Sequence, residues 1–307
     1  MWRCALLFSI LTLVGCGVNK QPVPVTMVVG SWYGFYPFYY AREKGLDLDN
    51  GIRLKILEPT NIGNLRRSYM RSQVDIVATS MLEFTNATRL SGLPLQPVLI
   101  TDYSNGGDVV IATKAINSVE DLHGKRIAVP SQGIGEYFLS LVFNSQQPTQ
   151  YFTQIKRPET ECGDAFAAKE IDACITYPPI STYLLAEHDV HELHSSAQHP
   201  TRIFDVVWSK PDVPKDIQKQ IQALWFKVVE MIKDNPAAYH QFVSEIASVP
   251  LEEVELSMQG IALIDEQQHI DLLNKTDSLG TDLTTACKVA NGSDCEKFKT
   301  VLAGLRK

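Results

Sequence analysis

The densest chemical signal in the chain is the run Ser31-Trp32-Tyr33-Gly34-Phe35-Tyr36-Pro37-Phe38-Tyr39-Tyr40. The protein has 4 Trp, 11 Tyr and 12 Phe, and seven of these rings fall between Trp32 and Tyr40. Core packing rarely needs such a cluster on one strand-to-helix loop. Pro37 suits the first turn of a helix, where its missing N–H costs nothing, and Phe38, Tyr40 and Ala41 beyond it read as core. Trp32 and Tyr33 come before that helix, at the carboxyl end of a strand, the edge where open α/β sheets bind ligands. They are read as binding residues, with loop packing as the alternative. Such rings suit a flat or methylated cationic group, through stacking or cation–π contact.

A second candidate is Ser131-Gln132-Gly133-Ile134-Gly135, between a strand at 125–129 and a helix. Its two glycines let the backbone approach a ligand, and the N–H groups at a helix start favour an anion. Gln132, Gly133 and Tyr137 are the contacts expected there. A dinucleotide fingerprint is not supported, because Phe138 stands where the third glycine belongs. Tyr177-Pro178-Pro179 caps another strand end, with Tyr177 facing the cleft. His188, His191, His194 and His199 invite a metal reading, but odd spacings on a strand point to opposite faces, so no metal is assigned. No Ser/His/Asp or Cys/His set stands out, and no catalytic residue is nominated.

The elements that must position these groups alternate. Strands are expected at 25–29, 52–57, 74–78 and 95–101, with helices between them, which argues for a parallel α/β sheet covered on both faces. The alternation restarts at Ser118, and a second α/β lobe follows. After Pro214 only helices are expected, with Ile217, Ile221, Leu224, Trp225 and Val228 at helical spacing. The runs 109–112 and 203–208 read as two crossings between lobes. The expected division is a signal peptide at 1–15, a tether at 16–24, lobe one at 25–112 and 204–307, and lobe two at 113–203.

Composition agrees with a folded, two-domain chain. There are 307 residues, 45% apolar and 21% charged, with a formal charge of −7. A nucleic-acid surface is therefore not expected. Met1-Trp2-Arg3 followed by the apolar run 4–14 reads as a signal peptide. It ends in Leu13-Val14-Gly15-Cys16, which resembles a bacterial lipobox and makes Cys16 the expected lipidation site and membrane anchor. Export implies an oxidising space. Four cysteines then remain, and sequence-local pairing gives disulfides Cys162–Cys174 and Cys287–Cys295, the second around the turn dipeptide Asn291-Gly292.

Trp32-x-Gly34-x-x-Pro37, followed by Ala41-Arg-Glu-Lys-Gly45, resembles the opening of the periplasmic substrate-binding proteins of the nitrate, taurine, sulfonate and thiamine-precursor group. Val74-Asp75-Ile76 before Thr79-Ser80, the segment Asp102 to Asp108, Ser118 to Val129 with Asp121-Leu122-x-Gly124-Lys125-Arg126, and Asp172-Ala173 with Tyr177-Pro178-Pro179 are similar to further motifs of that group, in the same order. The resemblance spans about residues 25–280; Gln73 and the C-terminal cysteine loop depart from it. It implies a type II two-lobed periplasmic binding fold in which a small molecule is closed between lobes. On that reading Thr79 and Ser80, ending a strand, offer hydroxyls and N–H groups to a polar ligand. Asp102 either meets a cationic or amide group or ties the hinge. Asp108 is read as more structural.

The implied function is a non-enzymatic, membrane-anchored, monomeric binding protein outside the cytoplasm. It hands a small anionic, zwitterionic or heterocyclic solute to an ABC permease, without cofactor. The alternative is a sensor lipoprotein that signals to a membrane protein. A thiamine-pyrimidine synthase of the same fold carries a cysteine-rich C-C-C-F-C motif that this sequence lacks.

Overall fold

The computed structural model describes residues 21–59, 62–71, 73–83, 96–130, 134–274, 284–289 and 295–297. The expectations for the signal peptide, Cys16, Gln132, Gly133 and the Asn291-Gly292 turn lie outside these residues. Among those described, no helix is long and apolar enough to cross a membrane.

Two sheets organise the chain. The first contains β1 (Val23–Val29), β2 (Ile52–Leu57), β3 (Ile76–Ser80), β4 (Gln96–Ser104), β10 (Phe204–Ser209) and β11 (Ile261–Leu263), in the order β11-β4-β10-β3-β1-β2. The second contains β5 (Val109–Thr113), β6 (Arg126–Val129), β7 (Thr153–Lys156), β8 (Ala173–Thr176) and β9 (Val190–Ser195), in the order β7-β6-β8-β5-β9. The chain crosses from the first sheet to the second at 105–108 and returns at 196–203. These are the two lobes of a type II periplasmic binding fold.

Three details differ from the sequence reading. The sheets are mixed. β1, β2 and β3 run parallel, but β10 is antiparallel to both β3 and β4. In the second sheet β6 is parallel to β7 and β8, while β5 is antiparallel to β8 and β9. The strands that receive the chain from the other sheet run against the parallel set. For the same reason residues 109–112, expected in lobe one, pair within the second sheet. Third, the helical C-terminal block contributes β11, which pairs with β4.

Side chains on the first sheet alternate between two cores, as the period of a strand requires. Val25, Met27 and Val29 face one, with Phe38, Tyr40 and Ala41. Helix Lys215–Asp234 closes that core with Ile217, Ile221, Leu224, Trp225 and Val228, all buried. Val28 faces the other, with Leu65, Tyr69, Trp208 and the Cys287–Cys295 disulfide. In the second lobe the Cys162–Cys174 disulfide ties helix Cys162–Ala167 to β8.

One device recurs in both lobes. Asp75 donates its N–H to the Thr26 carbonyl and accepts the Thr26 N–H on its carboxylate, both at 2.8 Å. Asp172 does the same with Arg126, again at 2.8 Å for both bonds. Each aspartate precedes a strand and locks it to the parallel neighbour. In the second lobe the Arg126 guanidinium adds bonds to Asp172 at 2.9 and 3.1 Å and holds that carboxyl below its usual range.

Candidate functional site

The carboxyl ends of β1 and β3 open onto a cavity of about 90 Å³ walled by both lobes. The first lobe supplies Gly30, Ser31, Trp32 and Phe35 after β1, Thr79, Ser80 and Glu83 at the end of β3, and Asp205 on β10. From the crossing and the second lobe come Asp108, Ile134 at the start of helix Ile134–Val142, and Tyr177 after β8.

The aromatic loop is built around Trp32. Tyr33–Phe35 form a 3-10 turn, and helix Tyr36–Glu43 follows with Pro37 in its first turn. The Trp32 indole Nε1 donates to Asp102 Oδ1 at 2.8 Å. A Cβ at Gly34 would lie 2.4 Å from that Nε1 and 2.6 Å from the Asp102 oxygens, and a Cβ at Gly107 would lie 2.4 Å from the indole ring. Glycine at both positions is what lets the indole lie there. Trp32 then meets Tyr177 of the other lobe edge-to-face, with ring centroids 5.7 Å apart and planes at 81°. The Tyr177 hydroxyl donates to Glu159 Oε1 at 3.0 Å, and burial pushes its phenol pKa well above the ordinary value.

At the end of β3, Thr79 Oγ1 donates to Glu83 Oε2 at 2.6 Å, and the Glu83 N–H donates to Ser80 Oγ at 3.3 Å. Three carboxyls lie deeper. Burial pushes Asp102 up to about 6, opposed by its bond from Trp32. Asp108 is also pushed up to about 6 by burial, opposed by the Ser104 hydroxyl and reinforced by the charge of Asp102. Asp205 is raised well above the carboxylate range by burial and then by Asp102.

The crossings are stitched to each other. Ser104 Oγ and Ser196 Oγ are 2.7 Å apart, the Gly106 N–H donates to Ser196 Oγ at 2.7 Å, and the Ser196 N–H donates to the Asp108 carbonyl at 2.8 Å.

Of the residues singled out in the sequence, Trp32, Thr79, Ser80 and Tyr177 line the cavity. Asp102 sits behind Trp32, wholly buried. Tyr33 does not reach the cavity: it is 2% exposed and packs edge-to-face on Tyr36 in the first core. Tyr137 is likewise buried in the second lobe's core. Asp205, Glu83 and Ser31 line the cavity without having been picked out. For Asp205 a signal existed, a carboxylate inside the apolar strand Phe204-Asp-Val-Val-Trp208.

A family model described as NMT1/THI5 like matches residues 32–223. The chain belongs to the NMT1/THI5-like family. No curated protein sequence matches it. Solved structures share its fold at low identity. The periplasmic aliphatic sulphonate binding protein SsuA from Escherichia coli has a TM-score of 0.70 at 10% identity, covering 88% of each chain. The periplasmic nitrate-binding protein NrtA from Synechocystis PCC 6803 has a TM-score of 0.69 at 12% identity, covering 92% of this chain and 86% of that one. A putative sulfonate ABC transporter protein, periplasmic sulfonate-binding SsuA from Methylobacillus flagellatus KT, has a TM-score of 0.65 at 15% identity, covering 94% and 96%. The family match thus spans the cavity from Trp32 through Tyr177 to Asp205.

Proposed function

We propose that this NMT1/THI5-like chain is a solute-binding lipoprotein acting outside the cytoplasm. It captures a small polar molecule between its lobes and presents it to an ABC importer. The observation that carries this reading is the cavity, whose walls come from both sheets and whose two aromatic walls, Trp32 and Tyr177, meet across it. The likeness to sulfonate- and nitrate-binding periplasmic proteins supports it. The moving units we assign are residues 21–104 with the chain from 204 onward, and residues 109–195. They close about the paired crossings at 105–108 and 196–203. A solute favours closure only by its differential affinity for the closed state, and walls split between lobes provide that difference. Cys16 tethers the protein to the membrane by a diacylglycerol.

The test is a thermal-shift screen of the mature protein over sulfonates, amino acids, betaines and pyrimidines. A saturable rise in melting temperature is expected with one chemical group, because the solute binds the folded state alone. A flat response across the whole screen would contradict the reading.

A further inference from the structure

The charge that the described residues bring to the cavity is one-sided. Asp102 on β4 and Asp205 on β10 are direct partners across two antiparallel strands. Like charges directly opposite destabilise a sheet, and burying a carboxylate without a cation costs more still. Yet Asp102 is 0%, Asp108 5% and Asp205 7% exposed. Among the described residues none of the three pairs with Lys or Arg. Their side-chain neighbours include Trp32, Thr101, Ser104, Glu83 and one another. Asp102 and Asp205 hydrogen-bond to each other, which requires a proton on one of them. Asp205 and Asp108 both reach the cavity wall, Glu83 adds a fourth carboxylate there, and Trp32, Phe35 and Tyr177 supply ring faces beside them.

A sheet keeps two opposed, buried acids where something other than folding uses them. Resting on the solute-binding reading above, we infer that the solute presents a cationic group to Asp205 and Asp108, with Trp32 and Tyr177 against its flat or methylated face. Protonated amines, guanidinium or amidinium groups and protonated heterocycles fit this description. A bare sulfonate or nitrate would meet repulsion from the same acids.

The groups facing Asp205 are Asp102 from β4, Asp108 from the crossing and Glu83 after β3, and all of them favour its protonated form. An arriving cation reverses this and displaces a proton. Binding should therefore release protons to the buffer and tighten as pH rises, up to about 6 on account of Asp108 and beyond that on account of Asp205, whose carboxyl is raised further.

The experiment is calorimetric titration of the mature protein with choline, agmatine, methylated amines and aminopyrimidines, against methanesulfonate, nitrate and neutral sugars. It is repeated at pH 5, 6 and 7 in buffers of different ionisation enthalpy. The expected result is saturable binding by a cation, with Kd tightening by up to about tenfold per pH unit below pH 6. Asp205→Asn should weaken that cation by about tenfold or more, while raising the melting temperature of the ligand-free protein. Asp108→Asn provides a second folded variant, expected to weaken binding likewise. Binding of an anion, strengthened in Asp205→Asn, would overturn the cationic assignment and leave solute binding standing. Cation binding unchanged in both variants would overturn it too. No binder in any charge class would bring down the solute-binding reading together with this one.

Discussion

Trp32 shows how one residue joins fold and function. Its indole N–H satisfies a buried carboxylate while its ring walls the cavity. Both depend on Gly34, whose missing Cβ leaves room for the Nε1–Asp102 bond. Gly34→Ala should force the indole out, with a destabilisation of about 1–3 kcal/mol from overpacking and the orphaned carboxylate; chemical denaturation measures it, and an unchanged midpoint would refute it. The three deep acids give a pH prediction with a definite sign. Unfolded Asp titrates near ~3.9, while folded Asp102 and Asp108 titrate at about 6. The folded chain therefore holds more protons between these values. The stability these groups contribute is full below the unfolded value and is lost as pH rises through about 6. Burial lowers the pKa of His194, His199, His240 and His269, which acts in the opposite sense over the same range. The acids are therefore read from the difference in ligand-free melting temperature between Asp205→Asn and wild type, which should widen from about pH 4.5 to about pH 7. A difference that stays constant over this range would contradict the burial of these acids. The sequence showed the aromatic cluster but not which ring faces out. Tyr33 opens a 3-10 turn, where each residue rotates by about 120°, so its ring leaves the face that Trp32 keeps.

At the scale of elements, the strand–helix alternation was legible because period-2 and period-3.6 patterns are local properties of the chain. The mixed sheets were not, because β10 pairs with β3 and β4 from more than a hundred residues away, and no local pattern encodes a strand's direction. Asp75 and Asp172 were visible as motif residues, and the structure supplies their work: each clamps its strand to the neighbour through paired backbone bonds. The Cys162–Cys174 disulfide closes a loop with a sequence separation of 12. Replacing both cysteines by serine should cost about 3 kcal/mol by the chain-entropy argument, read as a lower denaturation midpoint. Equal midpoints for wild type and the double serine variant would show that this staple does not stabilise the second lobe.

At the scale of the whole molecule, the central claim is capture between lobes by a tethered protein. The tether has its own test. Mass spectrometry of protein extracted from its native membrane should find Cys16 as the acylated N-terminus, and an unlipidated N-terminus beyond Cys16 would remove the anchor. The two lobes were readable from the restart of the alternation at Ser118. The exact points of crossing were not, because Val109–Thr113 is as apolar as any strand of the first sheet and only pairing assigns it to the second. Capture between lobes is tested most directly by titrating the best solute from the thermal-shift screen into wild type, Trp32→Ala and Tyr177→Ala in parallel. The two rings belong to different lobes and meet across the cavity. A solute held in the cavity against both rings should lose about 1–3 kcal/mol of affinity in each variant, as for removal of a buried aromatic anchor. Affinity unchanged in both folded variants, or lost in one alone, would mean that the solute is not held between the lobes.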